Sequence, residues 1–163
     1  MNLNLKKYIK RLFIQIKQLK TAFAPRGLLL SSAVTINPAA VSQGYNVSSI
    51  ARDLDFINLI TMDFNTPFDN VQDLVINHNA PLYGNSQCNN CSIDAAVKYW
   101  INAGAPSWKL ILGIPTYATN YILTNDNSSV GAPSDGPEII GNVKFHSFIL
   151  LINFQKQLIC ILL

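Results

Sequence analysis

The sequence predicts an α/β fold built on a parallel sheet, and three observations carry that prediction. Three apolar runs without alternation (28–34, 55–64 and 109–117) are each bounded by Gly, Pro or polar turn residues. A run with no polar face suits a strand covered on both sides, as parallel strands are. Stretches of helical periodicity separate the runs, and the order helix, strand, helix, strand, helix, strand is that of parallel βα units. Finally, the chain is 163 residues long, 49% hydrophobic and only 13% charged, which excludes intrinsic disorder and demands a well-covered interior.

The first helix is read from Leu5, Ile9, Leu12, Ile16, Leu19 and Phe23, which recur at steps of three and four. Seven basic residues and no acid lie within residues 1–26, whereas the rest holds five basic and nine acidic residues, a net of −4. The basic residues fall on the other faces of the helix and read as a solvated surface. A nucleic-acid surface would interleave aromatics and glycines among the cations, which this stretch lacks, so no nucleic-acid partner is expected. After APRG comes the first strand. A polar stretch around Pro38 and Gly44 leads to VSSIARDL, which reads as a short helix with Ser or Asn available as cap. The second strand follows. Ser92 caps a further helix whose apolar face is Ile93, Ala96, Val97, Trp100 and Ile101 and whose stop is Gly104. The third strand runs toward Pro115, which cannot sit within a hydrogen-bonded ladder.

Three parallel strands make a small sheet with exposed outer edges, so the sequence reads as a slice of a larger architecture. Cys88 and Cys91 form one C-x-x-C, a spacing that also suits a redox pair, but the polar, loop-like run QCNNCS favours a local disulfide or two free thiols. With only His78 and His146 besides, no zinc site is expected, and neither metal nor cofactor is assigned. Asn46, Asn90 and Asn127 each begin an N-x-Ser sequon, a modest pointer to the secretory pathway, although no secretory signal is visible. Asp53 and Asp55 flank a helix-to-strand junction and read as solvated carboxylates; His78 reads as an anchor of its own loop, Trp100 as core, and Trp108 as either core or rim. The apolar stretch 147–163 is interrupted by Gln155, Lys156 and Gln157, and a central Lys argues against a membrane anchor.

LKTAFAPRGLLLSSAV, LDFINLITMDF, HNAPLY, AVKYWINAGAPSWKLILGIPTY and VGAPSDGP, in this order, resemble family 18 glycoside hydrolases, the chitinases and chitinase-like lectins. The resemblance implies a partial (β/α)₈ barrel: its fifth, sixth and seventh strands within residues 1–137, recognisable from about residue 18. Residues 138–163 are expected to form an apolar tail without family resemblance. It implies a substrate class, β-1,4-linked N-acetylglucosamine, hydrolysed by substrate assistance rather than by an enzyme nucleophile, an exception to the two-carboxylate scheme. It also implies an extracellular parent. The family's M-x-Y-D reads here Ile60-Thr61-Met62-Asp63, so Asp63 matches and Met62 replaces a Tyr. The family's P-T-Y-G-R reads Pro115-Thr116-Tyr117-Ala118-Thr119, so Tyr117 matches and Thr119 replaces an Arg. Asp63, Tyr117, Met62 and Thr119 are therefore the expected substrate-binding positions. The D-x-x-D-x-D-x-E motif that carries the catalytic acid has no counterpart, and the sole Glu is Glu138, past all three strands. The chain itself is expected to be non-catalytic, a truncated relative whose parent binds or hydrolyses chitin. A non-catalytic lectin or growth-factor-like relative, and a small membrane-associated α/β domain unrelated to sugars, stay open at this point.

Overall fold

The computed structural model describes residues 3–64, 75–85, 88–137 and 158–162, with side chains placed for all but 3–10 and 158–162. Glu138, His146 and the greater part of the expected tail lie outside the described residues. The chain divides into two compact units.

The first unit holds residues 1–60, 96–113 and 151–163. Helix α1 (Leu3–Phe23) leads through Gly27, in the left-handed conformation, into strand β1 (Leu29–Val34). Helices α2 (Pro38–Gly44) and α3 (Val47–Asp53) follow, then β2 (Phe56–Leu59). Helix α4 (Ile93–Asn102) ends in this unit ahead of β3 (Leu110–Leu112). The three expected strands pair in parallel, β2 between β1 and β3, with Ser32 opposite Ile57 and Asn58 opposite Ile111. They are joined by β6 (Leu158–Leu162), which runs parallel to β1 with Ser31 opposite Cys160. The sheet order is thus β3-β2-β1-β6, and the edge of β1 that the sequence reading left open is paired.

The polar stretch around Pro38, to which no element was assigned, is the helix α2. Asn37 caps it by accepting the amides of Ala39 and Ala40, and Pro38 opens it at a position where no amide is needed. The strands are shorter than the apolar runs: the Ile60 and Gly113 amides still reach the Val34 and Leu59 carbonyls, and the ladder ends there.

Alternate strand residues face the helices. Leu30, Val34, Ile57 and Leu59 pack with Ile16 of α1, Ile50 of α3 and Trp100 of α4 in one core. Of the predicted stripe of α1, Leu12, Leu19 and Phe23 pack against that core, whereas Arg11 and Lys17 are exposed. Trp100 is fully buried; its indole N–H donates to the Thr35 carbonyl at 3.2 Å, and Tyr45 meets the ring edge-on. Trp108, in contrast, is 72% exposed. Lys109 donates to the Ala51 and Leu54 carbonyls at 2.6 and 2.7 Å, completing the C-terminal end of α3 where a cation meets the negative pole of the helix. Burial pushes the pKa of this ammonium down, and the charge of Asp55 opposes that shift.

Asp55 is no mere solvated carboxylate. Lys20 Nζ reaches both its oxygens, at 2.6 and 2.7 Å, and the Leu30 amide donates to Oδ2 at 2.8 Å. One side chain therefore ties α1, β1 and the start of β2. Asp53 makes only a 3.3 Å contact with its neighbour Arg52.

The second unit holds residues 61–95 and 114–150. Strands β4 (Tyr121–Leu123) and β5 (Ser134–Pro137) form an antiparallel pair, and Val75 bridges to Pro133 beside it. Removing the Asp55 carboxylate leaves the Leu30 amide without its acceptor. Asp55→Ala should therefore lower unfolding free energy by about 2 kcal/mol, and Lys20→Ala, which removes only a half-exposed partner, by less than about 1 kcal/mol. Urea denaturation of the two variants measures both, and equal losses would contradict this division of labour.

Candidate functional site

In the second unit the structure brings two of the four expected site residues into direct contact. Asp63 lies four residues after β2 and Tyr117 five residues after β3, and the Tyr117 hydroxyl donates to Asp63 Oδ1 at 2.5 Å. Asp63 has φ +57°, the only described residue other than glycine in the left-handed region. Asp tolerates that conformation better than most residues, yet holding it requires outside contacts.

Asn79 supplies those contacts. Its Oδ1 accepts the Asp63 amide at 2.6 Å and its backbone carbonyl accepts the Phe64 amide at 3.1 Å. Sequence reasoning passed over Asn79 in favour of His78 beside it. His78 is exposed, and its amide donates to the Asn77 side chain at 2.8 Å. The signal for Asn79 was its place in HNAPLY, directly after the residue singled out.

Four influences of unequal size act on the phenol. Burial, first, raises the Tyr117 pKa; the hydrogen bond to Asp63 and that residue's charge raise it further. The Asn79 side-chain amide pulls the other way, although its buried Nδ2 makes no hydrogen bond of good geometry. The outcome is a pKa pushed up to about 12. Tyr117 is accordingly a neutral donor at all physiological pH values, and Asp63 is its acceptor.

Met62 and Thr119 do not join the pair through hydrogen bonds. Met62 is buried at 7% exposure, and its thioether has no hydrogen to donate; Thr119 is half-buried. Thr61, before them, is fully buried. Among the described residues no group of three His, Cys, Asp or Glu side chains could hold a metal ion. Nor is any helix there long and apolar enough to cross a membrane. Cys88 and Cys91 form a disulfide, which resolves the alternatives left by the C-x-x-C.

The family model of glycosyl hydrolases family 18 matches residues 4–157. The chain belongs to that family. It is 38% identical over 120 residues to human chitinase-3-like protein 2 and 40% identical over 115 residues to mouse chitotriosidase-1. Those matches cover 71% and 68% of this chain but only 30% and 24% of the relatives. Human YKL-39, solved as a pseudo-chitinase with retained chitooligosaccharide binding, superposes with a TM-score of 0.72 at 34% identity. That superposition covers 81% of this chain and 39% of YKL-39. A class V chitinase from Nicotiana, solved with a bound N-acetylglucosamine tetramer, gives 0.71 at 32% identity, covering 83% and 40%. The family 18 chain is thus part of a (β/α)₈ barrel, as its motifs led one to expect.

A tyrosine whose folded pKa exceeds its unfolded value contributes stability that is present below pH 10 and lost as pH rises through the folded pKa. Between pH 10 and about 12 the chain should lose stability through Tyr117. Tyr117→Phe should remove that segment of the pH–stability curve; an unchanged curve would show that the phenol is not held this way.

Proposed function

We propose that this chain is a chitooligosaccharide-binding, non-catalytic part of a chitinase-like protein, with Asp63 and Tyr117 as the groups that meet an N-acetyl substituent. The hydrogen-bonded pair, with Asp63 clamped by Asn79, is the observation that carries the reading. An acetamide presents one N–H donor and one carbonyl acceptor. A carboxylate and a neutral phenol side by side offer the complement of both, provided that Tyr117 turns its O–H from Asp63 to the ligand carbonyl. Chitooligosaccharide binding by the related YKL-39 and Nicotiana proteins supports the substrate class.

The non-catalytic part of the reading rests on chemistry. A glycosidic oxygen leaves as an alcohol only when an acid protonates it, a contribution of typically 10²–10⁴-fold. The sequence contains one Glu, Glu138, outside the motif in which the family carries its acid. Met62 and Thr119 weaken the grip further, since neither replaces the hydrogen bonds of a Tyr hydroxyl and a guanidinium. Each lost contact is worth roughly 1–3 kcal/mol when the partner is left buried. These two substitutions favour a lectin-like parent over a hydrolytic one. The Cys88–Cys91 disulfide and the three sequons support an extracellular setting. Nothing in the reading involves nucleic acid or a membrane.

The test places residues 18–137 in an active family 18 barrel that supplies the missing Glu. The chimera should hydrolyse chitooligosaccharides at least tenfold less well in kcat/KM than its host. Met62→Tyr should recover most of the loss, and Thr119→Arg less, because the first acts at the acetamide. A chimera as active as its host would show that Met62 and Thr119 are neutral and would contradict the lectin-like reading.

A further inference from the structure

The loop that follows Asn79 is held at several points whose only covalent closure is the disulfide. The Pro81 and Leu82 carbonyls accept the Ile93 and Asp94 amides at 2.9 and 3.1 Å, so the loop serves two of the otherwise unpaired amides at the start of α4. The Ala95 amide is taken by Ser92 Oγ at 3.2 Å. Farther along, Asn85 and Cys88 exchange two hydrogen bonds: the Asn85 amide donates to the Cys88 carbonyl at 3.3 Å, and the Cys88 amide to Asn85 Oδ1 at 3.0 Å. Gly84 lies so close to Asn89 that a Cβ there would overlap the Asn89 carbonyl. Apart from the Ser92–Ala95 bond, each of these contacts docks residues 81–85 on the turn 88–91 or on the helix just after it.

The disulfide closes only the four-residue turn Cys88–Cys91, with the Cα atoms 5.4 Å apart. Closure entropy grows with loop length, so such a short ring constrains the unfolded chain little, and its effect is local. Asn89 and Asn90 inside the ring are exposed, which leaves the bond open to a soluble thiol.

We propose that the Cys88–Cys91 disulfide is a redox-operated pin: closed, it keeps residues 79–85 in the arrangement in which Asn79 clamps Asp63, and its reduction releases the clamp. The physical reason is that Asp63 sits in a left-handed conformation with its amide held by Asn79, so releasing Asn79 removes a contact that offsets the strain. A dithiol operates the pin. One of its thiolates attacks a cysteine sulfur and expels the other as thiolate; its second thiol then resolves the mixed disulfide and closes its own ring. Two electrons and two protons pass to Cys88 and Cys91, and the reductant leaves as a disulfide.

The experiment is residue-resolved hydrogen exchange on the full chain, oxidised, reduced with dithiothreitol, and reoxidised. Reduction should speed exchange at Asp63, Phe64, Ile93 and Asp94 by about tenfold or more, while Ile57 and Asn58 in β2 stay protected. Reoxidation should restore the original rates, and Cys88→Ser with Cys91→Ser should reproduce the reduced pattern. Unchanged rates at all four positions overturn the proposal, as does a response confined to Ile93 and Asp94. Loss of protection in β2 as well would make the disulfide a global brace and also overturns it. The consequence for ligand rests on the proposed sugar site: binding of N-acetylglucosamine tetramer should weaken about tenfold on reduction. If the four amides respond but no tetramer binds in either state, the pin stands and the sugar site falls.

Discussion

The first unit depends on β2 having a parallel partner on each side. A strand in that position spends its amides and carbonyls on two ladders, and both its faces must be covered. Its residues are therefore apolar or, like Asn58, tied to a neighbour within the layer: the Asn58 Nδ2 donates to Ser31 Oγ at 3.2 Å. Parallel pairing also forbids a tight turn between neighbours, so each strand must hand the chain to a helix before the next can begin. The helices α3, capped by Asn46 accepting the Ser49 amide at 3.1 Å, and α4, capped by Ser92, follow from that requirement, as does the buried Trp100. So does the node at Asp55, which sits where a helix gives way to β2 and holds the carboxylate against Lys20 and the Leu30 amide.

The site has a different physical basis, because it is built where the ladder stops. Past Ile60 and Gly113, whose amides still donate to the Val34 and Leu59 carbonyls, the strands end, and after β2 the loop at Asn79 holds the backbone. Asn79 takes the Asp63 amide with its side chain and the Phe64 amide with its backbone carbonyl, while the Tyr117 hydroxyl donates to the Asp63 carboxylate. A backbone fixed by side chains can hold a left-handed residue that a strand could not. That is how a carboxylate and a phenol come to lie within hydrogen-bond distance although 54 residues separate them in sequence.

What could be read from the sequence divides along the same line. The strands were legible as unbroken apolar runs covered on both faces, and α1, α3 and α4 through caps and the apolar spacing that records which face is covered. Helix α2 was missed because PAAVSQG has a single large apolar residue, Val41, and its start is set by the Asn37 cap rather than by a stripe. The pairing of β6 with β1 could not be read, since LICIL is apolar throughout and periodicity does not name a partner. At the site, Asp63 and Tyr117 were legible through family motifs. The role of Asn79 was not, because a clamp made by one amide on a left-handed backbone leaves no pattern in neighbouring residues. Likewise Asp55 looked like any carboxylate at a helix-to-strand junction. Only the distance to Lys20, 35 positions away, distinguishes it.

The central claim is that the Asp63–Tyr117 pair, set by Asn79, receives an N-acetyl group. Its most direct measurement is a nuclear magnetic resonance titration with N-acetylglucosamine tetramer, following the Asp63 amide, the Asn79 side-chain amide and the ligand acetamide methyl. The account predicts that these signals shift together with one binding curve, and that Tyr117→Phe weakens the curve about tenfold, or 1.4 kcal/mol. Shifts confined to residues elsewhere, or a curve that Tyr117→Phe leaves unchanged, would contradict it.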